Sequence, residues 1–127
     1  MSRTAILPEG SKAPVLPLSM GLRKGNILQV AGQVAFHPAT GEVLGTTVAE
    51  QTRQTLRNVL SILQAGGGTP DDLVMVRVYL TDTAHFAEMN AAYAELIPEP
   101  FPARTTVYVG LPAGLLVEID AMAVLDS

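Results

Sequence analysis

The stretch from Thr47 to Gly68 constrains this chain more than any other. Thr47-Val48-Ala49-Glu50 matches a capping box, in which a Thr hydroxyl and a Glu carboxylate satisfy amide donors that a helix start leaves unpaired. Val48, Thr52, Thr55, Leu56, Val59, Ile62 and Leu63 then recur at helical spacing, while Glu50, Arg53, Gln54, Arg57, Ser61 and Gln64 face away. Gly66-Gly67-Gly68 ends the helix, because glycine adopts the left-handed conformation past a helix end without steric cost. A phosphate-binding loop would carry Gly-Lys-Ser/Thr and open a helix; these glycines close one.

Extended segments supply a sheet for that helix to cover. An irregular N-terminal stretch with Pro8, Pro14 and Pro17 leads to a turn at Arg23-Lys24-Gly25-Asn26. Residues 27–36 read as a strand, with Gly32 marking a bulge or a close approach, and Pro38-Ala39-Thr40-Gly41 turns the chain again. Residues 73–80 form a largely buried strand. Asp82 or Thr83 then caps a second helix with Phe86, Met89, Asn90, Tyr93, Leu96 and Ile97 on one face. Residues 105–109 and 116–125 close the chain as two strands joined through Gly110-Leu111-Pro112-Ala113-Gly114. The order β-β-α-β-α-β-β predicts one α+β domain over residues 1–127, a mixed sheet with both helices on one face.

Charge points to how the other face is used. Only 16% of the 127 residues are charged, against about 25% in typical soluble domains, and the mean hydropathy is +0.31. Such a surface predicts that other copies cover part of it. Along the last strand Val117, Ile119, Ala121 and Ala123 take one side and Glu118, Asp120, Met122 and Val124 the other. Two acids followed by two apolar residues read as a partly covered face.

Several classes are excluded. No run approaches the ~18 apolar residues of a membrane span, and the N-terminus is too short and polar for a signal peptide. With no Cys there is neither a disulfide nor a thiolate nucleophile, which fits a cytoplasmic setting. A net charge of −4 with eight scattered basic residues disfavours nucleic-acid binding. His37 and His85 show no metal spacing and read as turn and helix-surface residues.

Arg104 and Glu118 are the central chemical candidates. A simple hairpin between the last two strands would place Val109 near Leu115, Thr106 opposite Glu118 and Arg104 opposite Asp120, all on one sheet face. The plainer reading of that pattern is an exposed ion pair. Asn90 on an apolar helix face needs a partner, most simply a bond from helix to strand. Tyr93, Phe86 and Phe101 read as core.

The chain resembles the reactive-intermediate deaminases, the Rid or YjgF-like family. The likeness runs through Val30-Ala31-Gly32-Gln33, Thr40-Gly41, Glu50-Gln51-Thr52 to Asn58 and Gly66-Gly67-Gly68. It continues through Phe86, Asn90 and Tyr93, Pro102-Ala103-Arg104, Leu111-Pro112 and Val117-Glu118-Ile119. This resemblance implies a chorismate-mutase-like α+β fold, a homotrimeric barrel and ligand clefts between subunits. It implies hydrolysis of short 2-imino acids and their enamine tautomers, such as 2-aminoacrylate, 2-iminopropanoate and 2-iminobutanoate, to 2-keto acids and ammonia. Arg104 would bind the substrate carboxylate and Glu118 would position water, with Ala31, Gly32, Leu18, Asn90, Tyr93 and Thr106 around the substrate. No metal or cofactor is required.

The family pattern is altered at three of these positions. Leu18 stands where a tyrosine is common, Ala31 where a serine is common and Thr106 where a cysteine is frequent. The segment Ile6-Leu7-Pro8-Glu9-Gly10-Ser11 with Ala13-Pro14 leans slightly toward the aminoacrylate branch. A non-catalytic trimer that binds a small carboxylate and regulates a partner is the alternative reading. RNA cleavage, resembling reports for some relatives, is disfavoured by the acidic charge balance.

Overall fold

A computed structural model describes residues 2–126. Six strands form one mixed sheet in the order β1 (Thr4–Ile6), β2 (Gly21–Lys24), β3 (Ile27–Gln33), β6 (Val117–Val124), β4 (Leu73–Leu80) and β5 (Ala103–Tyr108). Helices α1 (Val48–Ala65) and α2 (Phe86–Leu96) both pack on one face, as the sequence predicts.

The local signals of α1 are all present. The Thr47 hydroxyl accepts from the Glu50 amide at 3.2 Å, and Glu50 Oε1 accepts from the Thr47 amide at 3.1 Å. At the other end the Gly68 amide donates to Leu63 O and the Gly67 amide to Gln64 O, with Gly67 at φ +96°. These are the two bonds of a Schellman motif, and they need a residue without a Cβ at Gly67.

The ends of the chain depart from expectation. The N-terminal stretch read as irregular contains β1 and β2, which extend the sheet beyond β3 by antiparallel pairing. The strand expected over 27–36 ends at Gln33, beyond a register shift against β6 between Val30 and Gln33. Asp82 caps a short 3-10 turn (Thr83–His85) that leads into α2, accepting from the Ala84 amide at 2.8 Å.

The largest correction concerns the last two strands. They do not form a hairpin: β5 pairs in parallel with β4, and β6 pairs antiparallel with β3 and β4. The unit β4-α2-β5 is a crossover, which requires parallel neighbours. β6 then fills the gap between β3 and β4. That position suits it, since Val117, Ile119, Ala121 and Ala123 are all essentially inaccessible beneath the helices. Full burial of a side chain such as Ile119 contributes about 1.5–3 kcal/mol, which an edge position would forfeit.

Buried polar side chains of α1 hold the loops that shape the sheet ends. Gln51 donates to Gly45 O (3.1 Å) and Gly114 O (2.8 Å) and accepts from the Leu116 amide (2.9 Å). Asn58 donates to Val34 O and Phe36 O.

Candidate functional site

The β4 register decides where each candidate residue lies. Arg104 pairs with Val76 and Thr106 with Val78, which in turn pair with Ala121 and Ile119. Arg104 and Thr106 therefore lie on the helix-covered face. Glu118 pairs with Tyr79 and Asp120 with Arg77, on the opposite face. The expectation of one shared face fails because β4 stands between the two strands and sets both registers.

Arg104 occupies a hollow at the β5 edge together with Asn90, Tyr93, Ala94, Phe101 and Pro102. Its guanidinium carbon lies 4.9 Å from the Tyr93 ring centroid and 5.9 Å from that of Phe86, within cation–π range. Among the described residues no carboxylate pairs with it, so the ion-pair reading does not hold. Tyr93 is buried, and burial pushes its phenol pKa up while the Arg104 charge pulls it down. The Tyr93 hydroxyl and Asn90 Oδ1 have no hydrogen-bond partner among the described residues. Asn90 thus does not make the expected helix-to-strand bond. Phe86 and Phe101, expected in the core, are 41% and 50% exposed; Phe101 lines the hollow and the Phe86 ring lies beside the Arg104 guanidinium.

The remaining candidates gather elsewhere. Leu18, Ala31 and Gly32 line a second cavity near the end of β3. The Glu118 carboxylate lies directly over Gly32, where an added Cβ would overlap it. The register shift at this point is steadied by Gln33, whose amide donates to Ala31 O at 3.1 Å. Glu118 is half-buried, and burial first and the neighbouring Asp120 second hold its pKa above the ordinary carboxylate value. Such a carboxyl is a better proton acceptor than a solvated one.

Asp120, nearly buried, is fully engaged. Arg77 Nε donates to Oδ1 and the Tyr79 hydroxyl to Oδ2, each at 2.8 Å. The hydrogen bond to Asp120 raises the Tyr79 pKa. This trio was not among the sequence candidates. The alternation of Arg77 and Tyr79 with buried Val76, Val78 and Leu80 was the available signal.

Residues 10–125 match the family described as Endoribonuclease L-PSP, and the chain belongs to this family, the one its Rid or YjgF-like motifs resemble. It is 42% identical over 122 residues to a RutC family protein of Pyrococcus horikoshii, spanning 95% of this chain and 97% of that one. It is 40% identical over 128 residues to the 2-iminobutanoate/2-iminopropanoate deaminase of Escherichia coli, spanning 98% of each. The crystal structure of E. coli TdcF with bound serine superposes with a TM-score of 0.87 at 31% identity, over 95% of this chain and 98% of that one. The α+β fold is therefore that of the Rid structures.

Proposed function

We propose that this protein hydrolyses 2-imino acids and their enamine tautomers, the 2-iminopropanoate and 2-iminobutanoate type included, in clefts between the copies of a homotrimer. The observation that carries the reading is the Arg104 guanidinium, held over Tyr93 and Phe86 with no acid partner among the described residues. A planar fork of donors in that state matches a carboxylate ligand in bidentate fashion. Two likenesses support it: the 40% identical deaminase, and TdcF with serine, whose carboxylate and C2 nitrogen match those of a 2-imino acid.

Glu118 lies on the opposite face from Arg104, so the two meet at one substrate only when they belong to different copies. In that cleft Arg104 of one copy fixes the carboxylate and with it the adjacent imine carbon. Asn90 Oδ1, which lacks a partner, is free to accept a hydrogen bond from the substrate. Glu118 of another copy hydrogen-bonds a water and takes its proton as the oxygen bonds to the imine carbon. The carbinolamine then collapses: the nitrogen receives a proton, the C–N bond breaks, and 2-keto acid and ammonia leave. The raised pKa of Glu118 suits both the acceptance and the return of that proton.

The test is to generate 2-iminobutanoate with a threonine dehydratase and follow 2-ketobutanoate release. Acceleration over spontaneous decay that falls at least ~100-fold in Arg104→Ala is the expected result. An acceleration untouched by that substitution overturns the mechanism. Leu18 and Ala31 bring no hydroxyl to the water side of the cleft, which favours a second reading as a carboxylate-binding regulator. That reading predicts keto-acid binding dependent on Arg104 with no faster imine decay.

A further inference from the structure

Glu118 and Asp120 stand two residues apart on one face of β6. At ~3.4 Å per residue the longer glutamate can reach the aspartate, and two carboxylates that meet share a single proton. A glutamate tied up in that way keeps a proton at the pH where a base is needed. The structure shows the opposite arrangement. The Glu118 carboxylate leans across to β3 and lies over Gly32, with no hydrogen bond or ion pair among the described residues. Asp120 is turned to β4, its Oδ1 taken by Arg77 Nε and its Oδ2 by the Tyr79 hydroxyl, each at 2.8 Å.

Tyr79 is the member of this group that register alone does not explain. In the β4–β6 ladder Arg77 faces Asp120, so their contact follows from pairing, but Tyr79 faces Glu118. Its hydroxyl reaches past its own partner to Asp120, and the half-buried ring stands beside Glu118 on the β4 side. The hydrogen bond to Asp120 is the main cause of the raised Tyr79 pKa, and the Glu118 charge adds to it. On the β3 side Ala31, Gly32 and Gln33 bring no titratable group, so Asp120, Arg77 and Tyr79 are the groups of this copy that act on Glu118. We propose that Tyr79 is a positioning residue: by holding Asp120 Oδ2 it denies Glu118 a carboxylate partner and leaves it a free base over Gly32. The role of base rests on the deaminase reading, whereas the hydrogen-bond network does not.

The experiment combines Tyr79→Phe with Asp120→Ala and reads the Glu118 proton in two ways. In the full-length protein, kcat/KM for 2-iminobutanoate generated by a threonine dehydratase is followed against pH. The side-chain carboxyl carbon of Glu118, assigned by its loss in Glu118→Gln, is titrated by carbon NMR. In Tyr79→Phe the freed Asp120 Oδ2 accepts from the protonated Glu118, so the acid limb and the NMR midpoint should both move to higher pH. The loss of kcat/KM at the foot of the limb should exceed that on the plateau at least ~fivefold, the worth of one hydrogen bond. With both Asp120 oxygens already removed by Asp120→Ala, the same substitution should move neither limb nor midpoint. A loss uniform in pH with a midpoint that stays or falls marks a merely structural tyrosine and overturns the inference. An equal upward shift with and without Asp120 overturns it too. Should no imine decay faster even in the wild type, the deaminase reading falls, and the network then stands or falls on the NMR midpoints alone.

Discussion

Arg104 and Glu118 stand on opposite faces of one sheet, with β4 between their strands. Arg104 pairs with Val76 on the face beneath the helices, and Glu118 pairs with Tyr79 on the open face. No rotamer brings a side chain through a hydrogen-bonded sheet, so a site using both requires two copies.

Complementation tests this directly. Arg104→Ala and Glu118→Gln should each abolish most deaminase activity as pure proteins. Co-assembled in equal amounts, they should regain about a quarter of the wild-type sites, because each interface then has independent even chances of an intact Arg and an intact Glu. Activity of the mixture measured after co-expression checks it. A mixture no better than its components would place both groups of the site in one copy.

The sequence made α1 legible because its determinants are local: a capping box, a 3.6-residue period and a glycine stop all lie within the segment they specify. The alternation on β6 was legible for the same reason. Which strand β6 pairs with was not, since pairing depends on residues far along the chain and on the crossover made by α2. Motif resemblance singles out Arg104 and Glu118 as candidates, but the sheet faces they occupy were not readable. Asn90 and Phe86 illustrate the same limit. Helical spacing groups them with Met89 and Tyr93, but α2 overhangs the β5 edge and leaves that side of the helix open above Arg104.

Gly32→Ala should separate folding from catalysis. Its added methyl would occupy the place of the Glu118 carboxylate, and the flexible glutamate can swing away toward solvent. Circular dichroism and melting should change little. Turnover should fall about 100-fold, the usual cost of an ångström-scale misplacement of a reacting group. Wild-type turnover would show that Glu118 acts from some other position.

Gln51→Ala addresses stability alone. The buried amide joins the loops at Gly45 and Gly114 and the start of β6 through three hydrogen bonds. Removing it leaves buried groups unpaired, at about 3 kcal/mol. Thermal or urea unfolding should show that loss. Arg53→Ala, which breaks an exposed pair with Glu95, should unfold close to wild type.

The raised pKa of Glu118 predicts opposite pH signs for activity and stability. The proposed mechanism needs the ionised carboxylate, so the acid limb of kcat/KM should lie above the ordinary carboxylate range. Asp120→Asn removes a negative neighbour and frees Arg77, and both changes favour ionisation, so that limb should move to lower pH. For stability the folded state holds the Glu118 proton more tightly than the unfolded chain does. Its contribution is complete below the unfolded pKa and is lost as pH rises through the folded one. Glu118→Gln, neutral at every pH, should therefore melt above wild type at pH 7 and level with it in acid below the ordinary carboxylate range. Melting curves of both proteins across that window check the sign. A variant destabilised at neutral pH would mean that the ionised carboxylate is held by a favourable partner rather than merely desolvated.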